Sequence, residues 1–312
     1  MADEDHRMAA RKKKAVVTGG AGFIGSHLSR ALIDAGYDVV VIDTLVGGAR
    51  DRVPSRAAFH NADVRDARAL ERLFKGADVV FHLAALPRVQ DSIDRPRETN
   101  DVNVNGTLAV LCAAHDAGVR RVVFSSSSAI YGDAEEMPIL EETPARPKSP
   151  YGLHKYIGER TCRLFSELYG LETVSLRYFN AYGPGADPEG PYALVTGKFL
   201  KQRAEGKPMT ITGDGSQTRD FVHVNDVVRA NLLAAQSASV GGGEVINIGS
   251  GRKVSVKRIA ELIGGPVEYL PPRIEPHDTL AGIERAKELL GWEPSIGIEE
   301  GLAELKRLAG LS

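Results

Sequence analysis

The chain predicts an α/β protein, a doubly wound parallel sheet followed by a smaller C-terminal α/β lobe. Short apolar runs that read as buried strands alternate with helical patterns through about residue 180, and that alternation specifies parallel strands joined by helical crossovers. The first run opens straight into a glycine-rich turn and an apolar-periodic helix. The second ends in an acid at its tip.

Taken in order, Ala15-Val16-Val17-Thr18 is a buried strand, and the turn from Gly19 to Ser26 leads into a helix through about Ala35. Gly36-Tyr37-Asp38 closes that unit, and Val39 to Asp43 is the second strand. Further strand runs lie at Phe59 to Ala62, Val79 to Leu83, Val122 to Ser125 and Thr173 to Arg177. Two long helices are expected, Arg97 to Ala117 and Pro150 to Tyr169, the second with Ser149 as N-cap and Pro150 in first position. After Phe179 to Gly185 the pattern shortens. Strands are expected at Met209 to Thr212 and Val245 to Ile248, and helices at Asn225 to Gln236, Val256 to Ile263, Arg285 to Leu290 and Glu299 to Leu308. The expected division is a charged tail over 1–13, a dinucleotide-binding domain over 14–180, and a substrate lobe over 181–312 with segments returning to the first domain.

A chain of 312 residues with a formal charge of -2 can bury a large core and offers no basic face for nucleic acid. Small molecules are the expected partners. No apolar run approaches a membrane span, and Met1 to Lys14 lacks the apolar centre of a secretion signal, so a cytoplasmic location is expected. Cys112 and Cys162 fall in helical patterns without CxxC or metal-type histidine spacing and read as reduced thiols, with no metal site. His82, His154, His223 and His277 read as structural or solvent-facing.

The spacing Gly19-x-x-Gly22-x-x-Gly25 lets a backbone turn tightly and approach a pyrophosphate, while the helix N-terminus presents free N–H groups to the anion. Asp43, at the tip of the second strand, would accept hydrogen bonds from adenosine ribose hydroxyls and repel a 2′-phosphate, which favours NAD over NADP. Asp63, after the third strand, is a candidate for the adenine amino group. Tyr151 and Lys155 lie four apart on one helix face. An ammonium near a phenol favours the phenolate and so makes a general base. The strand ending in Ser125 opens into the hydroxyls of Ser126, Ser127 and Ser128, at the end where open parallel sheets bind ligands.

From Lys14 to about Leu305 the chain resembles the extended short-chain dehydrogenase/reductase superfamily, and within it the nucleotide-sugar 4-epimerases acting on UDP-glucose or UDP-N-acetylglucosamine. The residues that carry the resemblance are TGGAGFIGSH at Thr18 to His27, FHLAA at Phe81 to Ala85, NVNGT at Asn103 to Thr107, SSSSAIYG at Ser125 to Gly132, YGLHK at Tyr151 to Lys155, RYFNAYGP at Arg177 to Pro184 and GDGSQTRDFVHVNDV at Gly213 to Val227. The resemblance implies a Rossmann domain in which Tyr151 is the acid/base, Lys155 binds the nicotinamide ribose and tunes Tyr151, and Ser127 hydrogen-bonds the sugar 4-hydroxyl. It implies a cofactor site that also includes Phe23, Ile24, Val64, Leu83, Ala84, Ala85, Asn103, Ser125 and Tyr178. Ser128 is a further substrate-binding candidate, Asn180 would contact the sugar diphosphate, and Arg219 would neutralise a phosphate. Arg273 is a further phosphate candidate, and either Glu275 or Asp278 would meet the uridine ribose.

The resemblance implies a gate beside the sugar C2 substituent at Thr279, whose small side chain would leave room for an N-acetyl group. A homodimer through the two long helices is implied as well. The reaction implied is 4-epimerisation of UDP-hexoses through a transient 4-keto sugar. Positions 128 and 129, where related dehydratases and decarboxylases carry acids, hold Ser128 and Ala129. Gln90 stands where UDP-glucuronate epimerases carry an arginine, next to Asp91. The alternatives are a UDP-glucuronate 4-epimerase, another nucleotide-sugar dehydratase or reductase, and a non-catalytic NAD-binding regulator, the last opposed by the retained Ser127, Tyr151 and Lys155.

Overall fold

The computed structural model describes residues 12–189, 194–272 and 278–311. The expected tail lies outside the described residues except for Lys12 and Lys13, and so do Arg273, Glu275 and His277. Strands β1 (Lys14–Thr18), β2 (Asp38–Asp43), β3 (Ala58–Asn61), β4 (Val79–His82), β5 (Arg121–Ser127) and β6 (Glu172–Tyr178) come first. After the short β7 (Ala181–Tyr182), β8 (Met209–Thr212), β9 (Thr218–Arg219) and β10 (Val222–His223), the chain returns with β11 (Gly242–Ile248). Seven of these strands form one sheet in the order β11-β6-β5-β4-β1-β2-β3, and every pairing in it is parallel. Val16, Val17, Val80, Phe81, Val122 and Val123 are fully buried, which is why these runs read as continuously apolar rather than alternating. The chain order reverses at β1, between β2 and β4, so a crevice opens beyond the C-terminal ends of β1 and β4.

Helices α1 (Phe23–Asp34), α2 (Ala67–Phe74), α3 (Val89–Asp94), α4 (Pro96–Asn100), α5 (Gly106–Asp116) and α6 (Pro150–Tyr169) belong to the first half. The second half adds α7 (Val195–Ala204), α8 (Val224–Gln236), α9 (Val256–Ile263), α10 (Glu284–Leu290) and α11 (Ile298–Leu308), with the remaining strands β12 (Val254–Ser255) and β13 (Val267–Leu270). One face of the sheet packs on Leu28 and Leu32 of α1 and Val227 and Ala234 of α8. The other packs on Leu70 and Phe74 of α2, Val110 and Leu111 of α5, and Cys162 and Phe165 of α6. Helices on both faces make the sheet doubly wound. A separate core of Phe199, Met209, Ile211, Ile259, Ile263 and Leu302 gathers α7, β8, α9 and α11.

One element departs from expectation. The stretch from Arg97 to Ala117 is not a single α-helix: a π-helical turn over Asp101–Asn105 separates α4 from α5. A π-turn widens the helix and re-aims its side chains. Here it carries Asn103, whose amide bonds the backbone of Leu86 in both directions, Leu86 N to Oδ1 at 2.8 Å and Nδ2 to Leu86 O at 3.1 Å.

Candidate active site

The N-terminus of α6 carries Tyr151, and its free backbone donors are accounted for one by one. Pro150 has none. The Tyr151 N–H donates to Ser92 Oγ at 3.1 Å, the Gly152 N–H to Ser149 Oγ at 3.1 Å, and the Leu153 N–H to Ser149 O at 3.1 Å. Satisfied donors hold the first turn in one place. The turn rests on Ala129: a Cβ on Gly152 would stand 2.6 Å from Ala129 O, so only glycine allows this approach. Ser127 and Ser128, just before that contact, are half-buried at the end of β5, with Ser127 Oγ accepting from Ala129 N at 3.1 Å.

Lys155 is buried, and its Nζ donates to the carbonyl of Ser125 at 2.7 Å while lying 5.9 Å from the centre of the Tyr151 ring. Burial pushes the ammonium pKa down to about 8, with Cys162 and Glu159 pulling the other way. Tyr151 does not show the depressed pKa its neighbour leads one to expect. Burial raises it, and the bond to the Ser127 hydroxyl only partly opposes that. The physical reason is direction: the ammonium is turned to the Ser125 carbonyl rather than to the phenol. Ser127, Tyr151 and Lys155 are brought together, with burial favouring the protonated form of Tyr151.

The glycine turn fits a dinucleotide. Gly19 has φ 73°, and a Cβ on Gly25 would stand 2.2 Å from Gly19 O, so neither position accepts a side chain. No side chain caps α1 at Gly22, which leaves the N–H groups of Phe23 and Ile24 at an open helix N-terminus. Asp43 sits beside this turn, its oxygens accepting from Ala21 N at 3.0 Å and Leu45 N at 2.7 Å. Leu83 and Ala84 press on Gly19, whose Cβ would meet Ala84 N at 2.7 Å. Ala85 follows them, half-exposed.

Asp63 is engaged by Arg65, which grips both its oxygens at 3.0 and 2.7 Å and holds its carboxyl below the ordinary range. Val64 is buried under Gly106. The Ser125 hydroxyl and Tyr178 OH are 3.0 Å apart, and Asn231 completes that buried set, with its Oδ1 3.0 Å from the Tyr178 OH. Burial raises the Tyr178 pKa to about 12, so it stays a phenol. His82 is buried and neutral, its pKa pushed down to about 3 by burial first and by Lys155 second. Thr107 gives its proton to Asn103 O at 2.6 Å, so it accepts from His82 Nε2 at 3.0 Å, and His82 Nδ1 accepts from Thr18 at 2.8 Å. His82 is structural, as the sequence suggests.

Three substrate candidates meet around β9. Asn180 donates from Nδ2 to Asp220 O at 2.8 Å, Arg219 from Nη1 to Thr218 O at 2.9 Å, and Thr279 Oγ1 accepts from Asp220 N at 3.3 Å. Asp278 pairs with Lys253 at 3.2 Å and bonds the Thr218 hydroxyl at 2.5 Å. Arg88, between the alanine pair and α3, forms an ion pair with Asp187, while Gln90 bonds Asp94 at 2.7 Å.

Several supports of the site carry no signal in the sequence. Ser92, fully buried on α3, is the acceptor that fixes the Tyr151 backbone. Beneath the site, Arg177 and Glu159 form a buried two-pronged pair at 2.8 and 2.7 Å, joined to the Ser126 hydroxyl at 2.6 Å and Tyr131 OH at 2.7 Å. Nothing local signals it. A buried arginine and glutamate are improbable unless paired, and that pairing is visible only once β6 lies against α6.

The fold and the glycine site define a dinucleotide-dependent enzyme of the Rossmann type, and the comparisons agree. Residues 15–249 match the NAD dependent epimerase/dehydratase family, and the chain belongs to it. It is 37% identical to a UDP-glucose 4-epimerase of Streptomyces lividans over 90% of this chain and 92% of that protein. Among solved structures it is similar to the UDP-glucose 4-epimerase of Thermotoga maritima with UDP-glucose, at 40% identity and TM-score 0.87, covering 93% of this chain and 96% of that one. It is also similar to the UDP-N-acetylglucosamine 4-epimerase of Methanobrevibacter ruminantium in complex with UDP-N-acetylmuramic acid, at 37% identity and TM-score 0.89, covering 94% and 96%.

Proposed function

We propose that the chain is an NAD-dependent 4-epimerase of UDP-hexoses. The observation that carries this reading is the meeting of Ser127, Tyr151 and Lys155 at the end of β5, with a serine and an alanine, not acids, at positions 128 and 129. The residues suited to hold NAD are the turn Gly19 to Gly25, Asp43 and Lys155. When bound, the cofactor supplies at its nicotinamide C4 an acceptor, then a donor, of hydride. As the phenolate, Tyr151 takes the proton of the sugar 4-hydroxyl, with Ser127 as hydrogen-bond partner, while the hydrogen on C4 of the sugar leaves as hydride. A 4-keto sugar results. Arg219 and Asn180 keep the diphosphate in place while the ketone turns its other face. Tyr151 then returns the proton.

Thr279 at the C2 gate extends the reading to the N-acetylated pair. A sugar carboxylate is less suited: Arg88, in the loop after the alanine pair, is already matched by Asp187. The test is incubation with UDP-glucose, UDP-N-acetylglucosamine and UDP-glucuronate in turn, with epimers resolved by chromatography. Conversion of the first two is expected, and conversion of UDP-glucuronate alone would overturn the assignment.

The enzyme is also read as a cytoplasmic homodimer. Among the described residues no helix is long and apolar enough to cross a membrane, and Cys112 and Cys162 are free thiols. Leu153, Leu164 and Leu168 of α6 and Leu108 of α5 are exposed. At their spacing the α6 leucines share one helix face, suited to a two-fold helical interface. Light scattering should give about twice the chain mass of 33.5 kDa. Leu164→Glu should bring it to the monomer.

A further inference from the structure

Asp220 is fully buried and its carboxylate takes four hydrogen bonds. Oδ1 accepts from Ser250 N at 2.5 Å and Ser250 Oγ at 2.7 Å, and Oδ2 from Gly251 N at 3.0 Å and Ala281 N at 3.0 Å. Burial raises the pKa of this carboxyl, and the bonds from Ser250, Ala281 and Gly251 oppose that; four bonds to fixed partners make the side chain a rigid pin. What it pins is distinctive. The donors come from two stretches far apart in sequence, the loop after β11 and the segment just past Thr279.

The backbone of Asp220 is gripped as well. Its carbonyl accepts from Asn180 Nδ2 at 2.8 Å and its N–H donates to Thr279 Oγ1 at 3.3 Å. Asn180 has φ 24°, in the left-handed region that asparagine enters more readily than most side chains, and its amide is tied to Asp220. Arg219, the residue before Asp220 and the last of β9, shares a peptide with it.

We infer that Asp220 is a positioning residue of the substrate site, joining Arg219, Asn180 and Thr279 into one cradle that sets affinity for the UDP portion without touching the reacting atoms. This rests on the UDP-hexose reading above. Loss of one oxygen's charge in Asp220→Asn turns an NH₂ toward two backbone N–H groups or a hydroxyl, and the cradle loosens. The chemistry at Tyr151 lies on α6, which makes none of these bonds to Asp220, so affinity and turnover separate.

The test uses the NAD-loaded enzyme and calorimetric titration with UDP alone, together with kcat and KM for UDP-glucose and thermal melting. In Asp220→Asn the Kd for UDP and the KM should rise about 10- to 100-fold, with kcat within about threefold and bound NAD unchanged. A folded variant that binds UDP like the wild type, or one whose kcat falls at unchanged KM, overturns the inference. If Asp220→Asn does not fold, Ser250→Ala removes one of the four donors and should raise the Kd for UDP by about 3- to 10-fold; an unchanged Kd overturns the inference equally. Wild type that binds UDP but epimerises no UDP-hexose would remove the functional reading and leave the role of Asp220 standing on the titration.

Discussion

Lys155→Met should stabilise the NAD-free protein while disabling it. The ammonium is buried, with its pKa pushed down to about 8 from 10.5. At about 1.4 kcal/mol per unit, holding it charged costs the folded chain on the order of 3 kcal/mol. The sign follows from where the proton is held more tightly. The unfolded chain keeps it up to about 10.5 and the folded chain only to about 8, so the cost is full below pH 8 and fades as pH rises toward 10.5. Methionine fills a similar volume without charge, but forfeits the bond to Ser125 O, worth about 1 kcal/mol. The net expectation is a gain of about 2 kcal/mol at pH 7 that shrinks toward zero near pH 10. Urea unfolding of both proteins after charcoal treatment, at the two pH values, measures it. A variant no more stable than wild type at pH 7, or a gain unchanged at pH 10, would show that Lys155 is not paying a burial cost.

Other expectations follow from the same site. Tyr151→Phe and Ser127→Ala should each cut turnover by about two to four orders of magnitude with folding spared; near-normal activity in Tyr151→Phe would mean that another base operates. Gly25→Ala puts a Cβ 2.2 Å from Gly19 O, so the purified variant should lack the bound NAD that wild type is expected to carry, and an unchanged cofactor content in the absorbance spectrum would contradict the placement of the turn. Protein that binds NADP more tightly than NAD would overturn the role given to Asp43. Thr279→Tyr should depress activity on UDP-N-acetylglucosamine much more than on UDP-glucose, and equal losses on both would show that Thr279 does not face C2.

Local chemistry made much of the fold legible. Ser149-Pro150 marks the start of α6, and the structure places the helix over Pro150–Tyr169 with Ser149 capping it. Continuous apolar runs mark the central strands because both faces are covered. The break at Asp101–Asn105 was not legible, since helical periodicity over Arg97 to Ala117 does not distinguish i→i+4 from i→i+5 bonding. The π-turn carries Asn103, whose bonds to Leu86 join residues 17 apart in sequence. Arg177 and Glu159 were illegible for the same reason: each is ordinary in its own element, and their pairing depends on β6 lying under α6.

The Tyr151–Lys155 pair shows where a spacing stops being sufficient. Four residues on one helix bring the two side chains near each other, and the structure honours that with the ammonium 5.9 Å from the ring centre. Whether the ammonium lowers the phenol pKa depends on what else competes for its protons, and the competitor is a backbone carbonyl from β5, 30 residues earlier in the chain. Burial then outweighs the remaining help from Ser127, and the phenol keeps its proton. The same carbonyl holds the Lys155 ammonium in place. A general base works as the phenolate, so the proton that burial holds on Tyr151 must leave before a 4-hydroxyl proton can be taken. The buried lysine, the capped first turn and the Ser92 bond are one arrangement in that each fixes Tyr151 or its neighbour through a bond within the protein.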